Sequence, residues 1–242
     1  MKKFTIILFM VVSFAYSDDV NAQKCLYLLD NVKSDNRGFT YDSVAPCLIA
    51  WNTDALKYYI GKGLNVNSYV TEASISLVNA AAMNGDLDFV KFLVSKGAIV
   101  TNTRIELECS VPILVSAVQS GNLELVKYFV DKGNPVTMGE FAINNSYFCP
   151  LSSAVNKGDF EIFMYLINKG ATTDIAGFSG RDLLMEATYS GNIDIVKYLI
   201  ENGADINART SDGQTPLSYA LRQNHTHIAD YLRANGAELL FN

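Results

Sequence analysis

The chain has 242 residues, 49% of them hydrophobic and 18% charged, which is apolar enough for an ordered core and argues against an intrinsically disordered protein. Its formal net charge is −6 and it contains no Lys/Arg block, which argues against a phosphate-binding surface for nucleic acid or anionic lipid. The partner expected from this balance is another protein.

At the start, Lys2 and Lys3 precede an apolar run from Phe4 to Met10 that continues through Val11, Val12, Phe14 and Ala15. This resembles a bacterial export signal, with a charged start and an apolar core shorter than the roughly 20 residues that span a bilayer. Val20 and Ala22 stand at −3 and −1 of a cut after Ala22, so residues 1–22 are expected to be a signal peptide. A cut after Ser17, with Ala15 at −3, and an uncleaved anchor are the alternatives. Cys25 follows Lys24 instead of a small residue, which argues against a lipoprotein signal. The expected location is therefore the periplasm or the exterior of the cell, with no membrane contact after cleavage.

Further along, one phrase keeps returning. "SGNIDIVKYLIENGADIN" begins at Ser190, and its counterparts are "NGDLDFVKFLVSKGAIV" from Asn84, "SGNLELVKYFVDKGNPV" from Ser120, "KGDFEIFMYLINKGATT" from Lys157 and "QNHTHIADYLRANGAEL" from Gln223. "AWNTDALKYYIGKGLNV" from Ala50 is a weaker copy. Each closes on a glycine (Gly63, Gly97, Gly133, Gly170, Gly203 and Gly236), at intervals of 34, 36, 37, 33 and 33 residues. Such a period marks a solenoid.

Each unit also has a first half, seen best in "GQTPLSYALRQN" from Gly213 and "CPLSSAVNKG" from Cys149. Pro150 and Pro216 suit a first helical position, where the missing amide hydrogen would have no partner anyway. Leu151, Ala154 and Val155, like Leu217, Ala220 and Leu221, then predict a narrow apolar face. Gly85, Gly121, Gly158 and Gly191 sit 12 residues before the closing glycines, where the chain must turn between helices. In the second helix, Ile193, Val196, Leu199 and Ile200 are the expected buried stripe. No such helix pair buries both its faces alone, so the units must stack.

Taken together these residues resemble the ankyrin repeat, whose unit runs through a turn, Thr-Pro-Leu-His, a short helix, a Gly-led turn, a second helix and a Gly-Ala ending. The resemblance spans about residues 42 to 240. It implies an all-α ankyrin-repeat solenoid of helix-turn-helix units joined by β-turn and loop fingers. Residues 23–67 read as a degenerate N-terminal capping repeat, because Pro46 falls inside its first helix. Residues 68–242 then hold five further repeats, at about 75–101, 111–137, 148–174, 181–207 and 214–240. Trp51 and Asn224 replace the turn glycine in the first and last units, and the Trp51 turn is expected to be remodelled because Trp resists a left-handed backbone. The motif histidine is absent throughout, with Asn79, Val115, Ser152, Met185 and Ser218 in its place.

The two longest intervals place grown loops at "TNTRIELECS" from Thr101 and "MGEFAINNSYFC" from Met138. Four cysteines allow three pairings. Cys109 and Cys149 end these adjacent loops and form the preferred disulfide, with Cys25 to Cys47 as the second; Cys47 also reads as a small core residue at the repeat's alanine place.

No catalytic constellation emerges. His225 and His227 lack further ligands in sequence, and no Gly-rich phosphate loop, nucleophile elbow or CxxC is present, so neither metal, cofactor nor enzymatic activity is expected. Asp86, Asp88, Glu124, Glu161 and Asp194 fall in the first turn of second helices, where a carboxylate complements the helix dipole. What the resemblance implies is a monomeric binding scaffold whose concave surface is built from turn tips and first-helix ends. Carried over by position, the turn tips are Phe178, Ser179 and Arg181, then Ser211, Asp212 and Gln214. The helix ends are Met83 and Asn84, Gln119 and Ser120, Asn156 and Lys157, Tyr189 and Ser190, Arg222 and Gln223. Aromatics and arginines concentrate interface energy, which selects Tyr147, Phe148, Phe178, Arg181, Tyr189 and Arg222 as the expected partner-binding residues. An inhibitor or immunity protein for an exported toxin or enzyme, a periplasmic assembly scaffold, and a secreted effector that binds a host protein are the readings this leaves.

Overall fold

The computed structural model of the chain describes residues 51–67, 76–100, 111–137, 149–174 and 181–238. Among them are eleven helices and no strand: α1 (Thr53–Gly61), α2 (Leu77–Met83), α3 (Leu87–Ser95), α4 (Ile113–Ser120), α5 (Leu123–Asp131), α6 (Pro150–Lys157), α7 (Phe160–Asn168), α8 (Leu183–Ser190), α9 (Ile193–Glu201), α10 (Pro216–Arg222) and α11 (Thr226–Ala234).

Capping explains where the second helices start. α1, α3, α5, α7 and α9 begin after Asn52, Asp86, Asn122, Asp159 and Asn192, whose side chains accept the amides of Ala55, Phe89, Leu125, Ile162 and Ile195. Each such cap stabilises its helix by about 1 kcal/mol. Asp86 is thus the cap itself, one place before the first turn expected for it, whereas Asp88, Glu124, Glu161 and Asp194 do lie in first turns. His225 precedes α11 and gives no side-chain cap.

The closing glycine and the alanine after it end the second helix together. At α3, the Gly97 amide (φ +91) donates to Val94 O at 3.0 Å and the Ala98 amide to Leu93 O at 3.0 Å, a Schellman motif that satisfies two carbonyls the helix would otherwise orphan. α7 ends the same way through Gly170 and Ala171. Pro150 and Pro216 occupy the first turns of α6 and α10 as expected, and Thr215 with Ser218 completes a capping box at α10.

The Trp51 turn is not remodelled. Trp51 takes φ +46 and Asn224 φ +59, the same left-handed region as the glycines they replace. Trp51 is held there by Nε1, which donates to Asp86 Oδ2 at 3.3 Å, and by an edge-on contact with Phe89 at 5.8 Å. Anchoring of the indole thus offsets a backbone conformation that a bulky side chain disfavours.

The chain divides into two compact units, Met1–Ala81 with Asp86–Ser110, and Ala82–Gly85 with Val111–Asn242. In the first, α1 and α3 lie side by side: Lys57 Nζ is 5.9 Å from the centre of the Phe92 ring, and Asn67 donates to Gly97 O while accepting the Ile99 amide. Ala55, Leu56, Tyr59, Phe89, Val90 and Leu93 are buried. In the second unit the inner helices α4, α6, α8 and α10 pack in sequence, with Ala117, Ala154, Ala187 and Ala220 fully buried. Alanine there lets neighbouring backbones approach. The outer helices α5, α7, α9 and α11 form a second row.

Two apolar expectations shift by register. On α9 the buried residues are Ile195, Val196 and Leu199, while Ile193 and Ile200 are half-buried, because Ile193 directly follows the cap and the inward face begins two residues later. On α10 Leu217 and Ala220 are buried but Leu221 is 38% exposed; among the described residues no inner helix follows α10 to cover that side. Leu151, Ala154 and Val155 are buried as expected.

Ser116 on α4 is fully buried, and its Oγ finds no hydrogen-bond partner among the described residues. A buried unpaired hydroxyl is costly, so Ser116→Ala is expected to raise unfolding free energy by about 1 kcal/mol. Urea unfolding of the two proteins checks this, and a less stable variant would mean that the hydroxyl is satisfied after all.

Candidate protein-binding surface

Three of the six residues selected from the sequence meet in the structure. Arg181 lies in the turn before α8, Tyr189 near the end of α8, and Arg222 at the end of α10. The Arg181 guanidinium carbon lies 4.7 Å from the Tyr189 ring centre and 5.6 Å from that of Tyr219; Arg222 stacks on Tyr219 at 4.9 Å. The two tyrosines meet edge to face at 6.4 Å. Tyr189 is 41% exposed and Tyr219 only 6%, so Tyr219 is the base on which two guanidinium groups and the exposed ring are arranged. Each cation–π contact at such a surface is worth about 0.5–1 kcal/mol and fixes the orientation of a long side chain.

Sequence reasoning missed Tyr219. It sits immediately before Ala220, where the other repeats place Ala80, Ser116, Ser153 and Glu186, and a tyrosine in that spacer position reads as ordinary core. The available signal was its bulk at a place otherwise filled mostly by small residues. Tyr147, Phe148 and Phe178 lie outside the described residues.

The remaining helix ends are exposed or half-buried as expected, and several brace one repeat on the next. Lys157 Nζ donates to Gln119 O at 3.0 Å, Asn192 Nδ2 to Gly158 O at 2.7 Å and His225 Nε2 to Tyr189 O at 3.2 Å. The finger carrying Ser211, Asp212 and Gln214 is closed by Thr210, whose amide donates to Gln214 O at 3.0 Å and whose hydroxyl bonds Asp212 at 2.5 Å. Two carboxylates of the same repeat, Asp182 and Glu186, make internal hydrogen bonds. Asp182 caps α8 through the Met185 amide at 2.7 Å, and burial holds its carboxyl above the usual range while that amide draws it back. Glu186 is fully buried and accepts the Ser152 hydroxyl at 2.6 Å. Serine in the motif-histidine place therefore still forms hydrogen bonds, here to Glu186 and in α10 through Ser218.

Cys149 caps α6, is buried, and is bonded to no other cysteine among the described residues. Its intended partner Cys109, like Cys25 and Cys47, lies outside the described residues. Burial pushes the Cys149 thiol up, against the Ser152 and Leu151 amides that pull it down, so less of it is the reactive thiolate at any given pH. Iodoacetamide at pH about 8 is expected to label Cys149 at least tenfold more slowly in the native protein than in urea. Peptide mapping by mass spectrometry reads this; equal rates would show an accessible thiol, and resistance in urea without reductant would show a disulfide.

Among the described residues no three His, Cys, Asp or Glu side chains gather as a metal site, and no helix is long and apolar enough to cross a membrane. The His225 and His227 rings lie 6.5 Å apart, edge to face.

A family model for ankyrin repeats in three copies matches residues 47–138, 78–176, 114–210 and 151–242. Among solved structures, the ankyrin repeat domain of human ASB11 is similar, with 26% identity, a TM-score of 0.62, and coverage of 81% of this chain and 84% of that one. No curated protein sequence matches. With matches that run from residue 47 to residue 242 over an all-α repeat fold, the chain belongs to the ankyrin repeat family.

Proposed function

We propose that the chain is an exported, non-enzymatic binding protein that holds another protein on its inner-helix side, and that this partner is an exported toxin or enzyme whose action it blocks. Ankyrin repeats are protein-interaction modules, and their fold is typically a non-catalytic scaffold. The observation that carries the reading is the convergence of Arg181, Tyr189, Tyr219 and Arg222 on one surface of α8 and α10. Aromatic and arginine side chains held rigidly in this way lose little entropy on binding. Export rests on the twin lysines and apolar core that open the sequence.

The test is a pull-down with residues 23–242 from extracts of the source organism, followed by mass spectrometry and an activity assay of the captured protein. Capture of one toxin or enzyme whose activity falls on binding supports inhibition. A captured protein that stays fully active replaces inhibition with escort or assembly, and the absence of any partner moves the search outside the producing cell.

A further inference from the structure

We propose that α10 and α11 form a hinged end of the binding surface, a helix pair that swings off α8 as one unit while the neighbouring repeats stay folded. The residue before a second helix has two tasks in this chain. Asn122 and Asn192 do both. Their Oδ1 atoms accept the amides of Leu125 and Ile195 and so cap α5 and α9, while their Nδ2 atoms donate to Gly85 O at 2.8 Å and Gly158 O at 2.7 Å and tie each repeat to the one before. His225 stands in that place before α11 and does only the second, through one contact of 3.2 Å between Nε2 and Tyr189 O. The missing cap favours the open form roughly fivefold.

Three further observations weaken the same seam. Asn224 holds φ +59 where Gly85, Gly121, Gly158 and Gly191 turn in the equivalent places, and a Cβ in that region carries a strain that glycine avoids. Between α7 and α9 the fully buried Phe163 meets Tyr198 edge-on at 5.3 Å, whereas between α9 and α11 the exposed Lys197 lies with Nζ 5.8 Å from the Tyr231 ring centre. An exposed cation over a ring contributes less than a buried aromatic pair. Asn207, which donates to Gly236 O at 3.1 Å and accepts the Glu238 amide at 3.0 Å, does so in the open, where water replaces both bonds. Against opening stand the buried Leu217, Tyr219 and Ala220, which keep the open form a minor one. Because a repeat in a solenoid touches only its neighbours, one pair can leave without unfolding the others. The binding surface spans this seam: the Tyr189 ring of α8 meets Tyr219 of α10 edge-on at 6.4 Å, Arg222 stacks on Tyr219 at 4.9 Å, and His225 holds the carbonyl of that same Tyr189. Opening therefore dismantles the surface, and a partner bound across α8 and α10 holds the pair shut. That consequence rests on the inner-helix side being the binding side, whereas the opening does not.

Hydrogen exchange read by mass spectrometry on the free protein tests the hinge. The helix amides of α10 and α11 are expected to exchange at one common rate, roughly tenfold faster than those of α8 and α9. His225→Asn, which supplies the cap and keeps a tie, should slow α10 and α11 together roughly fivefold and leave α8 and α9 unchanged. Asn224→Gly removes the left-handed strain by a separate route and should slow both by about twofold or more. Tetranitromethane reads the surface itself. Tyr219, only 6% exposed, should be nitrated roughly fivefold more slowly in His225→Asn, while Tyr189, 41% exposed, keeps its rate. Protection of α10 and α11 equal to that of α8 and α9 overturns the hinge. Fast exchange confined to α11 with α10 protected does so too, since that is the fraying of one uncapped helix, as does a Tyr219 nitration rate indifferent to His225→Asn. The free protein is used throughout, so these outcomes bear on the hinge alone, and the pull-down decides the binding side.

Discussion

Phe163→Ala is expected to lower the unfolding free energy by about 3–5 kcal/mol, enough to unfold part of the repeat stack at ordinary temperature. Phe163 is fully buried on α7, stacks near-parallel with Phe160 at 6.3 Å and meets Tyr198 of α9 edge-on at 5.3 Å. Its loss therefore removes contacts inside one repeat and across the boundary to the next. In a solenoid, stability is close to a sum of repeat terms and nearest-neighbour interfaces, so damage to both at once has no distant contact to absorb it. A cavity at this position also forfeits the edge-to-face term of about 0.5–1.5 kcal/mol that the aromatic pair contributes beyond its buried area. Leu221→Ala, at a side chain 38% exposed on α10, is the matched control and should cost about 1 kcal/mol or less. Urea unfolding followed by circular dichroism reads both. A Phe163→Ala loss no larger than the control would show that α7 and α9 do not depend on this contact, and a broadened transition would show the stack unfolding in parts.

How far the sequence led can be judged at particular residues. The closing glycines and the prolines at helix starts were legible because each answers a local demand, a left-handed backbone or an unpartnered amide, that few other residues meet. The caps are equally local, since Asn or Asp precedes α1, α3, α5, α7 and α9, and Asp86 belongs with them instead of with the first-turn carboxylates. Ile193, Ile200 and Leu221 were misjudged for a different reason. Periodicity says which residues share a face, but the neighbours present decide how much of that face is covered. Trp51 was misjudged because a partner from another helix, Asp86, makes its conformation tolerable. The same limit governed the binding surface. Arg181, Tyr189 and Arg222 could be placed from repeat register alone, whereas Tyr219 became visible only when stacked inner helices brought its ring beneath both arginines.

Gly191→Ala is expected to cost about 2–3 kcal/mol, more than Gly203→Ala, although both glycines are left-handed. Their φ values are close, +85 at Gly191 and +90 at Gly203, so the backbone penalty of about 1–2 kcal/mol for adding a Cβ is common to both. What differs is the space around the new methyl. A Cβ at Gly203 would meet nothing within 4 Å, whereas one at Gly191 would lie 2.7 Å from Cε1 and 2.8 Å from Nε2 of His225. The imidazole is the far end of a side chain and can swing aside, but doing so breaks its 3.2 Å hydrogen bond to Tyr189 O, which ties the last repeat to the one before. That tie is worth about 1 kcal/mol. The two substitutions should therefore couple. In a Gly191→Ala background His225→Ala should cost almost nothing, because the bond is already lost, while alone it should cost about 1 kcal/mol. A double-mutant cycle by urea unfolding measures the difference. Strict additivity would mean that the ring adjusts without losing Tyr189, and would assign the whole Gly191 penalty to its backbone. Coupling of the expected size would show that a turn glycine in this chain has a second role, leaving room for the side chain that joins successive repeats.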